Sequence, residues 1–261
     1  MPDNPSKEIT LGNEIRIFPV SGIGEIQPGA DLAALILAAL AKQQERLESG
    51  DILVVTQKIV SKAEGSLIDL KQITPSAFAQ TLAAQGHKDA RYYEVILQQS
   101  QRIVKMDRGI LITETAQGWI CANAGVDESN VNGAEMVTLL PKNPDQSAFD
   151  LRKTLNESLK IEVAVIISDT FGRPWREGQV NVAIGVAGLE PLSNYKGVKD
   201  TYGFTLQASL LAVADELASA AELVMGKIDN IPVAIIRGYA YAPSESGAKA
   251  LLRDPKFDLF R

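Results

Sequence analysis

The sequence predicts an α+β fold of mixed sheets with packed helices, belonging to neither the P-loop nor the Rossmann class. Three observations lead there. Apolar runs of strand length at residues 52–55, 163–167 and 231–236 are separated by segments of helical period near residues 32–48, 145–159 and 206–225. Polar loops carrying glycine, lysine, arginine or aspartate follow the ends of these strands. Neither GxxxxGK[ST] nor GxGxxG occurs in the chain.

Composition narrows the chemistry. At 261 residues and 46% apolar, the chain can build a proper core and is not a disordered segment. A net charge of −6 argues against a nucleic-acid partner bound through a basic surface. The one cysteine, Cys121, lies between Ile120 and Ala122 and reads as a small core residue; it can form no internal disulfide and suits a reducing compartment. The one histidine, His87, stands in a polar stretch and reads as a surface or helix-start residue. Zinc clusters and Cys-His or Ser-His-Asp catalysis therefore have almost no material. Chemistry has to run on carboxylates, lysines, arginines, hydroxyls and bound metal. No stretch has signal-peptide character or membrane-spanning length, so a soluble cytoplasmic protein without a membrane partner is expected.

In chain order, residues 1–14 are polar. Residues 15–20 form a short strand that ends in the glycine-bearing loop 21–26, where backbone amides can approach a ligand. Asp31 is placed as N-cap of a helix from about residue 32 to 48. Residues 52–55 are a buried strand running into Thr56-Gln57-Lys58-Ile59-Val60-Ser61-Lys62. On a helical turn Lys58 and Lys62 share a face, as a phosphate-facing pair or as two solvated surface lysines. Pro75 and Ser76 open a helix to about residue 84, and another helix is expected from about residue 90 to 104. Residues 109–115 and 118–122 read as a hairpin. It feeds Asn123-Ala124-Gly125-Val126-Asp127, in which Asp127 is either a ligand or part of an Asx turn.

Asp145 or Ser147 starts a helix ending near Leu159. The chain reads as one unit, with two lobes interleaved if the acidic loops on either side of residues 141–148 act together. After the strand at 163–167 comes SDTFGRPWREGQVNVAIGVAG, residues 168–188. Asp169 and Thr170 are expected where that strand runs out, with Arg173, Arg176 and Glu177 gathered around Pro174. Guanidinium forks suit phosphate or carboxylate oxygens, and an Asp-Thr pair suits a hard divalent cation; a salt-bridged loop has the same composition. A polar loop carries Tyr195, Lys196, Lys199 and Tyr202. An alanine-rich helix from about residue 206 to 225 has more apolar surface than one face can bury. Residues 226–230 form a turn before the last strand, and the tail from Ser244 is polar and helical in part.

Four blocks, VSKAEG (60–65), CANAGVDESN (121–130), the 168–188 segment and VADELASAAELVMGK (213–227), together resemble the coenzyme F420-0:L-glutamate ligase family, also called F420-0:gamma-glutamyl ligase. The likeness runs from about Ile15 to Gly238. It implies an unusual α+β arrangement of mixed sheets in a homodimer. It also implies a GTP- and metal-dependent reaction that attaches L-glutamate, through its amine, to the terminal carboxylate of F420-0, with further gamma-linked glutamates in some cases. In some members a nitroreductase-like domain follows; this chain is expected to lack it.

The resemblance implies that Asp127, Asp169 and Thr170 hold the metal, Mg²⁺ or Mn²⁺, with K⁺ as a further cation. It implies a GTP site lined by Ile23, Gly24, Glu25, Ile26, Gln57, Lys58 and Lys62, completed by Asn130 and the loop Met225, Gly226, Lys227, Ile228, Asp229 and Asn230. Lys227 departs from the pattern, since some archaeal members carry an acidic residue there that can hold a second metal; here it reads as a phosphate contact.

The implied path transfers the γ-phosphoryl group to the acceptor carboxylate, giving an acyl phosphate that the glutamate amine attacks. Lys62, Arg173 and Arg176 are the catalytic candidates, supplying fixed positive charge. Glu177 and Glu64 are the carboxylates on offer as base. Two rival classes use the same inventory: a metal-dependent nucleotide or phosphate-ester hydrolase, and a non-catalytic GTP-binding regulator.

Overall fold

A computed structural model describes residues 14–129 and 135–258. The first strands and helices are β1 (Arg16–Val20), α1 (Leu32–Lys42), β2 (Ile52–Thr56), α2 (Gln57–Ala63) and β3 (Leu67–Asp69). There follow α3 (Ala77–Gln85), α4 (Ala90–Gln98), β4 (Ser100–Asp107), β5 (Ile110–Thr115), β6 (Ile120–Ala122), β7 (Asp127–Ser129) and β8 (Met136–Thr138). The remainder is α5 (Pro144–Leu159), β9 (Ala164–Arg173), β10 (Arg176–Ala187), β11 (Ser193–Asn194), β12 (Leu210–Leu211), α6 (Val213–Met225) and β13 (Val233–Arg237). Mixed helices and sheets make this an α+β fold, as the sequence predicts.

The central sheet has the order β1-β13-β2-β9-β10. β2 and β9 pair in parallel and every other neighbour pair is antiparallel. Ile52, Leu53, Val54 and Val55 are all buried, as are Val165, Ile166 and Ile167. Consecutive burial means that both faces of the sheet are covered, which is why these strands read as unbroken apolar runs rather than alternating ones. Helices α5 and α6 both pack on β10, with α1 beside α5. At Gly185, in a β-bulge of β10, an added Cβ would lie 2.4 Å from the Pro144 carbonyl oxygen. Only glycine lets α5 approach this closely.

A second apolar cluster, among them Leu82, Tyr93, Ile96, Leu111 and Val137, is built by α3, α4, the β4-β5-β6 meander and the β3-β8-β7 sheet. This segment lies between α2 and α5 in the chain, and its β6 packs beside β9 of the central sheet. Caps fix the helix starts as the sequence suggests: Asp31 accepts from the Ala34 amide at 3.0 Å, and Ser76 accepts from Ala79. For α5 the cap is Asn143, with Pro144 in the first turn, rather than Asp145 or Ser147.

Three helix boundaries differ from expectation. The helix expected to reach residue 48 stops at Lys42, where Gln44 takes a left-handed conformation. The helix expected from 90 to 104 stops at Gln98, and residues 100–107 pair with β5 instead; Ile103, Val104 and the residues around them fit a half-exposed strand as well as a helix end. The helix expected from 206 begins at Val213. Leu210 and Leu211 belong to a two-stranded flap with Ser193 and Asn194 and are exposed. Among the described residues no helix is long and apolar enough to cross a membrane.

Asp51 is fully buried at the base of the sheet. Arg237 meets it with two parallel bonds, Nε to Oδ1 and Nη2 to Oδ2, each 2.8 Å. A buried carboxylate needs such a fork, because an uncompensated charge there is strongly destabilising.

Candidate functional site

The site is built on the hairpin of β9 and β10. Asp169 and Thr170 do not follow the end of a strand, as expected, but lie inside one that continues to Arg173. In this register Asp169 faces Val182, and Thr170 faces Asn181. Side chains alternate along a strand, so Asp169 and Thr170 point to opposite faces of the hairpin.

On the Asp169 face stand β6 and the turn after it. Asn123, Ala124 and Gly125 all have positive φ, at 53°, 55° and 66°. For the first two this left-handed geometry stores about 1–3 kcal/mol each. The tight turn reverses the chain out of β6 and presents Asp127 at the start of β7. The Tyr92 hydroxyl donates to the Val126 carbonyl at 2.8 Å and pins the approach to Asp127. Asp127 and Asp169, 42 residues apart in sequence, thus come close enough to interact. Burial pushes the Asp169 carboxyl up to about 6; the Thr170 amide opposes this, the Asp127 charge adds to it, and Lys227 and Lys58 oppose it. Burial also pushes the Cys121 thiol up to about 12, with Asp169 contributing. Cys121 is a core residue, as read from its neighbours.

Lys58 and Lys62 lie on α2 four residues apart and share a face. Lys58 pairs with Asp127 at 2.6 Å, and Lys62, mostly buried, pairs with Glu25 of the 21–26 loop. In the same loop Gly24 is exposed, but the side chains of Ile23 and Ile26 are buried in the core, so a ligand meets only their backbone. Gln57 is likewise buried, its Oε1 accepting from the Ser61 hydroxyl at 2.9 Å. Met225 ends α6 with its side chain in the core. Gly226, Lys227, Ile228, Asp229 and Asn230 form the exposed loop beyond it. Asn130 lies outside the described residues.

On the opposite face Thr170 belongs to a chain of hydrogen bonds that sequence reading missed. The Thr170 hydroxyl donates to Asn181 Oδ1 at 2.7 Å, and Asn181 Nδ2 donates to Glu222 Oε2 at 2.8 Å. Lys227 Nζ donates to the Thr170 hydroxyl and lies 3.8 Å from Glu222 Oε1. Asn181 is buried, and a buried amide in a strand next to a carboxylate-bearing strand was the available signal.

Arg173 and Arg176 pair with each other at the hairpin tip, around Pro174 and Trp175. Arg173 Nη2 donates to the Glu177 carbonyl at 2.6 Å, and Trp175 is 80% exposed. Four residues of strand, about 13 Å, separate the Arg173 backbone from that of Asp169. Within one chain the structure does not gather these arginines around Asp169 and Asp127. Glu64 accepts a hydrogen bond from the Ser147 hydroxyl.

The donor set fits a divalent cation. Asp169 is a half-buried carboxylate beside a second carboxylate, and such a pair is stabilised when a cation lies between them. The lysines on α2 add positive charge at the rim, as anionic oxygens require.

Residues 22–238 match the family model described as F420-0:Gamma-glutamyl ligase. The chain belongs to the F420-0:gamma-glutamyl ligase family. It is 47% identical over 250 residues to the coenzyme F420:L-glutamate ligase of Methanothermobacter thermautotrophicus, covering 95% of this chain and 99% of that relative. It is 45% identical over 252 residues to the protein of the same name in Methanopyrus kandleri, covering 95% and 98%. Against that of Methanocaldococcus jannaschii it is 46% identical over 220 residues, covering 84% and 87%. The match to the ligase family runs from the loop after β1 to the end of β13, so every candidate site residue lies within it.

Proposed function

We propose that this family member is a ligase of coenzyme F420 biosynthesis that uses GTP to join L-glutamate to the terminal carboxylate of F420-0. The near-complete coverage of relatives named coenzyme F420:L-glutamate ligase supports the reaction class. The observation that carries the chemistry is the meeting of Asp127 and Asp169 beside Lys58 and Lys227, a carboxylate pair bordered by ammonium groups.

The divalent cation, Mg²⁺ or Mn²⁺, would be held by Asp127 and Asp169; Thr170, expected as a third ligand, faces the other side of the hairpin and is engaged by Asn181 and Lys227. When bound it supplies neutralisation of phosphate charge. Lys58, Lys62 and Lys227 are the side-chain cations placed to meet triphosphate oxygens, and the amides of the 21–26 and 226–230 loops line the same end of the sheet. The acceptor carboxylate attacks the γ-phosphorus, the bond to the β-phosphate oxygen breaks, and GDP leaves. The free glutamate amine then attacks the acyl phosphate; phosphate departs, and an amide remains once the amine gives up its proton. A carboxylate needs this activation, because it is a poor acyl donor at neutral pH.

We also propose a homodimer. Tyr202, Phe204, Leu210, Leu223, Ile228 and Trp175 are large apolar side chains left exposed. A second copy would cover them and would bring the Arg173–Arg176 tip against a partner. Light scattering at micromolar concentration is expected to give twice the chain mass, and a monomer mass refutes the dimer.

The deciding experiment is mass spectrometry of F420-0 incubated with the protein, GTP, Mg²⁺ or Mn²⁺ and L-glutamate. A product heavier by one or more glutamate residues is expected. GTP turnover that proceeds without amino acid and acceptor would mark a hydrolase, and binding without turnover a regulator.

A further inference from the structure

We infer that Lys227 supplies the second cation of this site as a fixed ammonium, so that the site takes one divalent ion at Asp127 and Asp169 rather than a pair. The inference rests on the nucleotide-and-metal reading above and specifies it.

Strand alternation divides the oxygen donors between two faces. Asp169, with Asp127, occupies one face; Thr170, Asn181 and Glu222 occupy the other. A divalent ion on the second face would need lone pairs from Thr170 and Glu222. The Thr170 hydroxyl gives its proton to Asn181 and accepts from Lys227, which leaves it one lone pair. Glu222 Oε2 accepts from Asn181, and its Oε1 lies 3.8 Å from the Lys227 ammonium. An ammonium has only protons to offer, so it cannot be a ligand and repels a nearby metal. On the Asp169 face, Asp169 Oδ1 accepts from the Thr170 amide and Oδ2 makes no hydrogen bond among those described, while Asp127 Oδ2 pairs with the half-exposed Lys58, whose ammonium an ion there would displace. Among the described residues no three His, Cys, Asp or Glu side chains gather as a metal-holding group, so the carboxylates at hand match one ion held by one or two side chains and phosphate oxygens.

The backbone holds Lys227 in this position. Gly226 caps α6 at φ 60°, and a Cβ there would stand 2.5 Å from Asp229 Oδ2. The glycine turns the chain so that the next residue points back at β9. Glu222, one turn earlier on α6, places its charge beside the ammonium.

The test counts ions. Mn²⁺ is titrated into the full chain saturated with a non-hydrolysable GTP analogue, and free Mn²⁺ is read by electron paramagnetic resonance. One tightly held Mn²⁺ per chain is expected for the wild type and for Lys227→Arg. Lys227→Glu, which exchanges the ammonium for a ligand on an exposed loop, is expected to hold two. Two ions in the wild type overturn the inference, and so does one ion in Lys227→Glu with its circular dichroism unchanged. If the Glu variant does not fold, the wild-type count still decides. Failure to bind both analogue and Mn²⁺ overturns the nucleotide-and-metal reading together with this one, whereas two ions in the wild type overturn only the role of Lys227.

Discussion

Replacing Asp169 with asparagine should make the metal-free protein more stable while abolishing its activity. The carboxyl of Asp169 is held at about 6 against an ordinary 3.8, chiefly by burial. A folded-state value above the unfolded one means that the fold prefers the protonated acid. The ionised form therefore destabilises the fold. The penalty is absent below about pH 4, grows as pH rises through the raised value, and is complete above about pH 7. The difference between 3.8 and about 6 corresponds to about 3 kcal/mol. Asparagine mimics the neutral acid and keeps an oxygen for the Thr170 amide, which Asp169 Oδ1 now accepts at 2.8 Å.

Urea unfolding in the presence of a chelator reads this directly. At pH 7.5 Asp169→Asn is expected to be about 3 kcal/mol more stable than the wild type, and at pH 5 the gain should shrink to about half. Added Mn²⁺ should close the gap by stabilising the wild type alone. A variant that is less stable than the wild type at pH 7.5, or a gain independent of pH, refutes the reasoning. Ligase activity is expected to fall by orders of magnitude at every pH, because the reaction needs the charge that the fold disfavours.

The remaining expectations are simpler. Arg237→Ala leaves Asp51 buried without its fork and should cost about 3 kcal/mol in urea unfolding, with nucleotide affinity unchanged. Cys121, buried and pushed up to about 12, should react with a thiol reagent no faster than the protein opens; a fast burst of labelling in the native state contradicts this. Lys196→Ala and Lys199→Ala, on the exposed loop with Tyr195 and Tyr202, should raise the apparent KM for F420-0 and leave GTP affinity nearly unchanged. Equal loss for both ligands places the loop at the nucleotide, and no effect on either makes it an ordinary surface loop.

What the sequence disclosed depended on how local the cause was. The core strands were legible because 52–55 and 163–167 are unbroken apolar runs, and burial on both faces leaves no other pattern. Caps at Asp31 and Ser76 were legible because one side chain and one amide three residues away suffice. The ends of α1 and α4 were not. Residues 100–107 are a strand only because β5 offers them a partner, and nothing local distinguishes Ile103 and Val104 there from a helix end. Leu206, Leu210 and Leu211 continued the helical period of α6, yet Leu210 and Leu211 belong to a flap whose pairing with β11 is tertiary. At the site, Asp127, Asp169, Lys58 and Lys62 were singled out by residue type beside apolar runs, although Asp169 lies inside β9 rather than past its end. Asn181 and Glu222 were not, since their roles follow from the β9–β10 register and from which face of α6 lies against β10.

The strand that continues through Asp169 is the reason one site can separate two kinds of positive charge. Had β9 ended at Ser168, as its apolar run suggests, Asp169 and Thr170 would lie in a loop free to turn both side chains toward one cation. Pairing with β10 through Arg173 removes that freedom: each residue is committed to one face, at a spacing of about 3.3 Å along the strand. The face that receives Asp169 is met by the left-handed turn delivering Asp127, so two carboxylates stand together there, the place proposed for the ion. The face that receives Thr170 is met by α6, whose own Glu222 and the Lys227 just beyond it already balance each other. Because the period of a strand is two, a slip of one residue in this hairpin would exchange the faces and set Thr170 against Asp127 and Asp169 against Glu222. The β-bulge at Gly185, fixed by the close approach of Pro144, guards against that slip. The packing of α5 on β10 thus bears on which side chain faces Asp127, the position proposed for the ion.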